Sequence, residues 1–112
     1  MNIDFELVNL ISGSKIIGSE LFIPAYSANL ALDILEDMGL AVFKVEAFTI
    51  ESDTVWPILS GILDLCGGKE IGFDSFVTYS IRQSRDFINQ FQNKIGKFDR
   101  LYFNLLYDNS LN

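Results

Sequence analysis

The chain has 112 residues, with 8 Lys or Arg, 15 Asp or Glu, one Cys and no His, so its formal net charge is −7. This length suits one domain, and a hydrophobic fraction of 49% is ample for a packed core and argues against disorder. One cysteine and no histidine exclude an intramolecular disulfide, a Cys/His zinc site within one chain, and catalysis by Ser-His-Asp or Cys-His groups.

The first half of the chain predicts two helices and a strand. Residues 3–11 fit a short helix and also fit a strand, and we favour the helix. Residues 25–38 predict a second helix, which Pro24 precedes and Gly39 ends, with an apolar face over most of its circumference. Residues 40–50 are rich in β-formers and apolar on both faces for half their length, which suits a central strand.

The segment 54–66 fits either a strand or a short helix. The residue before Pro57 is pushed toward an extended conformation, and Gly61 weakens a helix by about 1 kcal/mol relative to Ala. We therefore predict a strand over 59–65.

The last third of the chain predicts a long helix and a terminal strand. Apolar residues recur every three or four positions over 74–95, and Asp74 is a good N-cap. Ser80 and Ser84 lie on the inner arc of this helix, which indicates close approach of another element. Residues 100–108 alternate as a strand does. The elements together predict an α+β fold, a small single domain with helices packed on a short mixed sheet.

The acidic balance limits the expected partners. A chain of this charge repels nucleic acid and anionic membranes, since binding there depends on Lys and Arg, and it attracts basic proteins. No stretch of about 18 apolar residues is present, so no membrane span is expected. The first residues carry acids where a signal peptide carries positive charges, and with the single cysteine this predicts a cytoplasmic location.

Carboxylates concentrate in the first two-thirds of the chain. Residues 1–81 hold 12 acids and three bases, a balance of −9, and residues 82–112 hold three acids and five bases, a balance of +2. Asp33, Glu36 and Asp37 fall in the last turns of a predicted helix, where they oppose the macrodipole with no Lys or Arg beside them. They form either a solvated face or a contact surface for a basic partner.

The middle of the chain adds three candidate contact residues, and no catalytic motif is present. Glu51 and Asp53 form an acidic pair of the kind that any acid-rich chain contains by chance, and we place them with the acidic surface. Trp56 is either a side chain that fills the core or, if it is exposed, an anchor of a protein interface. Cys66 lies in an apolar run, which predicts that it is a small core residue. We predict no enzyme activity, no cofactor and no metal.

Three stretches of the sequence resemble the immunity proteins of bacterial polymorphic-toxin and contact-dependent inhibition systems, most closely the immunity protein 40 family. One is "GSELFIPAYSANLALDILEDMGLAVF", a Gly-x-Glu segment followed by a helix and a strand. The second is the isolated Trp56, and the third is the late helix "FVTYSIRQSRDFINQF" with the apolar strand that follows it.

The resemblance implies a stoichiometric inhibitor without turnover. The implied partner is a cognate toxin C-terminal domain, typically a nuclease with a basic surface, which Asp33, Glu36, Asp37, Glu51, Asp53 and Trp56 would contact. A monomer is expected. Two alternatives remain open, an adaptor for another basic partner that self-associates if its terminal strand is an edge, and a carboxylate site for a metal.

Overall fold

Helices cover a sheet in this protein. The computed structural model describes residues 3–65, 73–95 and 100–107. Within these ranges, three α-helices pack on a five-stranded sheet in which every pairing is antiparallel. The α+β class is therefore confirmed, with an antiparallel sheet in place of a mixed one. The elements are α1 (Ile3–Leu10), β1 (Lys15–Ile17), β2 (Glu20–Pro24), α2 (Ala28–Asp37), β3 (Val42–Glu51), β4 (Thr54–Asp64), α3 (Phe73–Ile95) and β5 (Leu101–Tyr107).

Every helix and strand predicted from the sequence is present. The helix over 3–11 is α1, and the strand over 59–65 is the second half of the longer β4. The helix predicted over 25–38 begins with a 3₁₀ turn, Ala25–Ser27, before α2 starts. The structure adds β1 and β2, which have only three and five residues and are too short to establish an alternation in the sequence.

The five strands lie in the order β1-β2-β5-β3-β4, so that β1 and β4 are the edges. The prediction of a central strand over 40–50 is confirmed, because β3 pairs with both β5 and β4. The terminal strand β5 is also internal, since it pairs with β2 and β3. It therefore leaves no free edge through which it could pair with a second copy, contrary to that alternative.

Two tight turns make the hairpins of this sheet. Between β3 and β4, Ser52 and Asp53 have φ angles of 50° and 63°, and between β1 and β2, Gly18 and Ser19 have 57° and 66°. Two successive positive φ angles are typical of the type I′ turn, whose twist matches that of the paired strands. The turn at Ser52 and Asp53 therefore starts β4 at Thr54, five residues before the predicted strand.

The long helix α3 is held against the start of β3 by a buried serine. The hydroxyl of Ser80 accepts a hydrogen bond from the backbone N–H of Val42 at 2.9 Å and donates one to the carbonyl of Val77 at 3.0 Å. Ser84 is also fully buried, but its hydroxyl has no partner among the described residues. The expectation of a close neighbour on this face is confirmed, and the neighbour at Ser80 is β3.

A second close contact of α3 lies where β4 contains a glycine. A Cβ atom at Gly61 would lie 2.6 Å from Cβ of Ala47 and 2.8 Å from Cζ of Phe91, distances too short for real contacts. The Phe91 ring uses this space to reach the sheet, where it meets Phe103 edge-on with 6.2 Å between ring centroids. Gly61 thus allows the helix to pack directly on β4.

The sheet face opposite the main core carries a smaller aromatic cluster. Phe22 and Phe48 meet edge to face with 5.2 Å between ring centroids, and the Lys15 ammonium lies 5.7 Å from the centre of the Tyr102 ring. Nζ of Lys15 also lies 3.5 Å from a carboxylate oxygen of Asp53 in the β3–β4 turn. This ion pair links the β3–β4 turn to the cluster, in which Phe22 is buried.

The two buried serines of α3 give a matched test of this packing. We expect Ser80→Ala to lower the free energy of unfolding by about 1–3 kcal/mol, because the Val42 N–H would stay buried without a partner. Ser84→Ala removes an unpaired buried hydroxyl, so we expect it to be neutral or stabilising by up to about 1 kcal/mol. Urea unfolding followed by circular dichroism measures both, and equal losses would contradict the different roles of the serines.

The tight contact at β4 predicts a second stability effect. We expect Gly61→Ala to lower the free energy of unfolding by about 1–3 kcal/mol, because the new methyl group would push Phe91 and Ala47 apart. Ser60→Ala, at the exposed neighbouring position, is the control and should stay within about 0.5 kcal/mol of the wild type. Thermal unfolding of both variants checks this, and a tolerated Gly61→Ala would contradict the close packing.

Candidate functional site

The six residues predicted to contact a partner lie in two groups at opposite ends of β3. The first consists of Asp33, Glu36 and Asp37 on α2, just before β3 begins, and the second of Glu51, Asp53 and Trp56 around the β3–β4 turn. β3 has 10 residues, and at about 3.3 Å per residue it spans about 33 Å. A standard interface covers about 800 Å² on each partner, which is a patch about 30 Å across. The two groups are therefore separated by about the full width of such a patch.

Asp33 has a cationic partner that comes from another helix. Nη2 of Arg85 on α3 lies 2.5 Å from a carboxylate oxygen of Asp33, and Nη1 of Arg85 donates to the Asn29 side chain at 3.1 Å. The expectation that no Lys or Arg accompanies the carboxylates of α2 is therefore wrong for Asp33. Its partner is 52 residues away in sequence, so the pattern of a single helix could not reveal it.

The pair is part of a polar seam that joins α2 to α3. The Asn29 side chain also donates to Asn89 at 3.0 Å, and the Gln92 side chain donates to the carbonyl of Ala25 at 3.1 Å. Positions rise along α2 as they fall along α3, so the two helices run antiparallel. Asp33 thus has a structural role in helix packing, and its charge is largely balanced before any partner arrives.

The C-terminal end of α2 is capped by backbone hydrogen bonds, so no side chain is needed to cap it. Gly39 has a φ of 73°, and its N–H donates to the carbonyl of Glu36 at 3.0 Å. The next N–H, of Leu40, donates to the carbonyl of Leu35 at 2.9 Å. These two bonds form a Schellman motif, in which a left-handed glycine satisfies the last carbonyl groups of the helix.

Glu36 and Asp37 form the acidic cap, the name used here for these two exposed carboxylates in the last turn of α2. Neither forms an ion pair with any cation in the part of the chain that the structure describes. Both stand at the negative end of the helix dipole, where a carboxylate costs typically 0.3–1 kcal/mol. The acidic cap is therefore a local concentration of negative charge that no cation of the described residues neutralises through an ion pair.

The carboxylates of the hairpin group are paired within the chain. A carboxylate oxygen of Glu51 lies 3.2 Å from Nη1 of Arg100, and one of Asp53 lies 3.5 Å from Nζ of Lys15. Both pairs are exposed, so each contributes little to stability. Their consequence is electrostatic, because the turn region carries balanced charges and offers little net attraction to a basic partner.

Trp56 is a surface residue and not a core plug. It lies on the edge strand β4 with 59% of its area exposed, and Leu59 and Ile62 on the same strand are 82% and 45% exposed. The sequence did not predict that Leu59 and Ile62 are exposed, because their segment is apolar throughout and its pattern does not indicate which side chains face solvent. Leu59 lies between Pro57 and Ile62, in the part of β4 where the register with β3 shifts.

Two shallow clefts lie on the surface of the described residues. One is lined by Ser75, Thr78, Tyr79 and Arg82 on α3. The other, of about 170 Å³, lies between β2 and β5, where Asn104 donates to the carbonyl of Leu21 at 2.9 Å. Within the described lining, neither brings two carboxylates together, and no group of three potential metal ligands occurs in the described ranges. Cys66 lies outside the described residues.

None of the helices in the described segments has the length and the apolar character that a membrane span requires. Comparisons of the chain with protein-family models, curated proteins and solved structures find no match. The acidic cap and the exposed side chains of β4 are therefore the features on which a function can be based.

Substitutions of Asp33 and Asp37 should change the stability of the protein differently, because Asp33 forms an ion pair with Arg85 and Asp37 forms none among the described residues. In a double-mutant cycle with Asp33→Ala and Arg85→Ala, we expect a favourable coupling of about 0.5–1 kcal/mol, because the pair is only partly exposed and links two helices. Asp37→Asn should instead raise the free energy of unfolding by a few tenths of a kcal/mol, because it removes a charge from the helix C-terminus. Urea unfolding at low salt measures both, and zero coupling would contradict the structural role of Asp33.

Proposed function

We propose that the protein is an immunity protein that binds a cognate bacterial toxin domain and neutralises it by stoichiometric occlusion. The partner is a toxin with a basic surface, as nucleases have, and the acidic cap is the part of this protein that meets it. The observation that carries the proposal is the pair of exposed carboxylates Glu36 and Asp37, which no cation of the described chain balances. The resemblance of the sequence to bacterial immunity proteins supports the same role.

An unbalanced charge pair suits a protein that must capture its partner quickly. Complementary fields raise association rates by about 10- to 1,000-fold over neutral encounters, and the effect falls with salt. The carboxylates of the acidic cap oppose the helix dipole, so they reduce the stability of the free protein. A basic partner offsets the repulsion between these carboxylates and the helix dipole. Binding therefore gains the free energy that this repulsion costs the free protein.

Apolar side chains on the same helix provide an anchor for the contact. Leu30 and Asp37 are seven residues apart and so lie on one face of α2, and Tyr26 lies one turn before Leu30. Tyr26 is 74% exposed and Leu30 is 48% exposed, and Met38 is exposed beside the acidic cap. We assign the anchoring role to this face in place of Trp56, which pairs with Thr49 about 23 Å beyond the first residue of β3.

Occlusion requires neither a cofactor nor turnover. The helix face and the acidic cap together extend over about 20 Å, since α2 has 10 residues at 1.5 Å each and the preceding turn adds to it. Such a face can cover part of the substrate-binding surface of a small enzyme. The toxin is inhibited for as long as the complex lasts.

Rescue of cells is the direct test of this function. We expect co-expression of this chain with the toxin domain encoded by the neighbouring upstream gene to restore growth, and the purified pair to form a complex with a dissociation constant in the nanomolar range or below. A catalytically inactive toxin variant serves for the binding measurement. Absence of both rescue and binding would contradict the proposal, whereas binding to an unrelated basic protein without rescue would favour an adaptor role.

The contribution of the acidic cap is measured by charge reversal with a matched control. We expect Glu36→Lys with Asp37→Lys to slow association with the toxin by tenfold or more at low salt, and to weaken the salt dependence. Glu6→Lys with Glu20→Lys changes the net charge equally at two exposed positions on other elements. Stopped-flow kinetics compares the pairs, and equal slowing by both would show that net charge acts without a local site.

A further inference from the structure

Tyr26 is the most exposed aromatic side chain of the described residues. It lies in the 3₁₀ turn Ala25–Ser27 that precedes α2, and 74% of its area is exposed, against 59% for Trp56 and 38% for Tyr79. A tyrosine that its neighbours hold in one orientation can bind a partner with little further loss of rotational freedom. The surroundings of Tyr26 therefore determine how well it can act as an anchor.

The tip of the Tyr26 side chain lies against Gly13, in the loop that joins α1 to β1. A Cβ atom at Gly13 would overlap the hydroxyl oxygen of Tyr26 and would lie 3.0 Å from Cζ of the same ring. The same Cβ position is 3.1 Å from Cγ of Pro24. Because Gly13 has no side chain, it leaves the space beside Pro24 in which the end of the Tyr26 ring lies.

The loop that carries Gly13 is fixed by its own contacts. Gly13 has a φ of 81°, a left-handed conformation that glycine adopts without strain. Ser27, the residue after Tyr26, is 6% exposed, and its hydroxyl donates to the carbonyl of Ser12 at 3.0 Å. The loop and the 3₁₀ turn are therefore joined by a hydrogen bond directly beside the contact between Gly13 and Tyr26.

The residues before Tyr26 attach the 3₁₀ turn to the sheet and to α3. Pro24 is the last residue of β2 and pairs with Tyr102 on β5, and its ring fixes its own φ, which is −63°. The carbonyl of Ala25 accepts a hydrogen bond from the Gln92 side chain on α3 at 3.1 Å. The backbone at Tyr26 is therefore held by β5, by α3 and by the loop between α1 and β1.

We propose that Tyr26 is the main anchor of the toxin contact and that Gly13 is its positioning residue. This inference rests on the proposed function, since the partner is the toxin that meets the acidic cap. Tyr26 lies four residues before Leu30 and 11 residues before Asp37, so the three lie along one face over about 17 Å. The toxin therefore has a recess for an aromatic ring at about this distance from the basic groups that meet the acidic cap.

A positioned anchor acts on the lifetime of the complex. Aromatic side chains that fill a pocket of the partner carry much of the binding free energy of an interface, and their loss mainly accelerates dissociation. A ring that is already in its bound orientation loses less side-chain entropy on binding. The charges of the acidic cap act on the approach of the partner instead. Association therefore depends on the acidic cap, and dissociation depends on Tyr26.

The dissociation rate of the complex with a catalytically inactive toxin tests the anchor. We expect Tyr26→Ala to accelerate dissociation by about 30-fold or more, as the loss of a hot-spot side chain does. Trp56→Ala removes another exposed aromatic ring, near the other end of β3, and as the matched control should stay within about twofold of the wild type. Equal rates for the two variants would overturn this inference alone, whereas a wild-type chain that does not bind would overturn the proposed function with it.

Two glycine variants test the positioning role. Gly13→Ala places a methyl group where the tip of Tyr26 lies, so we expect it to displace the ring and to accelerate dissociation by about three- to tenfold. Gly18 has a φ of 57°, and a Cβ there meets nothing within 4 Å, so Gly18→Ala strains the backbone without touching Tyr26 and should not change the rate. In the Tyr26→Ala background, Gly13→Ala should have no further effect. Equal effects of the two glycine variants, or an undiminished effect in that background, would overturn the role of Gly13.

The contact between Tyr26 and Gly13 is measured directly in the free wild-type protein. We expect nuclear Overhauser effects between the ring protons of Tyr26 and the Hα protons of Gly13. This measurement needs neither the toxin nor a folded variant, and circular dichroism confirms that each variant used for the kinetics is folded. Absence of these effects would overturn the positioning role and would leave the proposed function unchanged.

Discussion

The close packing of α3 on β3 and β4 is the constraint on which the rest of the structure depends. Ser80 bonds the first residue of β3, and Phe91 occupies the space that Gly61 leaves on β4. These contacts set the position of α3 over the sheet, and α2 is joined to α3 through its polar seam. The place of the acidic cap, at the end of α2, follows from the same contacts. A shift of α3 would therefore change both the core and the surface.

The net charge of −7 is distributed unevenly once the chain is folded. Among the described residues, four ion pairs bring cations to Asp33, Glu46, Glu51 and Asp53, although their partners are mostly far away in sequence. Such exposed pairs add little stability, but they cancel the field around them. No cation in the described ranges balances the acidic cap in this way. Its potential is therefore more local than the composition implies, and a partner with a basic surface would be oriented by it.

The fold separates exposed carboxylates from exposed apolar side chains along the length of β3. The acidic cap lies before the first residue of this strand, and the exposed Trp56 lies on β4 opposite Thr49, near its other end. Charge steers association, whereas buried aromatic and aliphatic groups prolong it. Thr49, the partner of Trp56, is seven residues beyond Val42, so about 23 Å of strand separates Trp56 from the start of β3. The antiparallel order, with β5 inside and β4 outside, creates this division.

The sequence by itself determined the class of the fold, because the periodicity of 25–38, 40–50 and 74–95 follows from which side chains must leave water. It also indicated that another element lies close to Ser80. Only the tertiary structure decided that Asp33 is paired, that Glu36 and Asp37 have no ion pair among the described residues, and that Trp56 faces solvent. Pairing depends on residues brought together across the fold, and exposure depends on strand order and register. Neither is encoded in the local pattern of a single segment, so the same acids and the same tryptophan fitted several roles until the chain was folded.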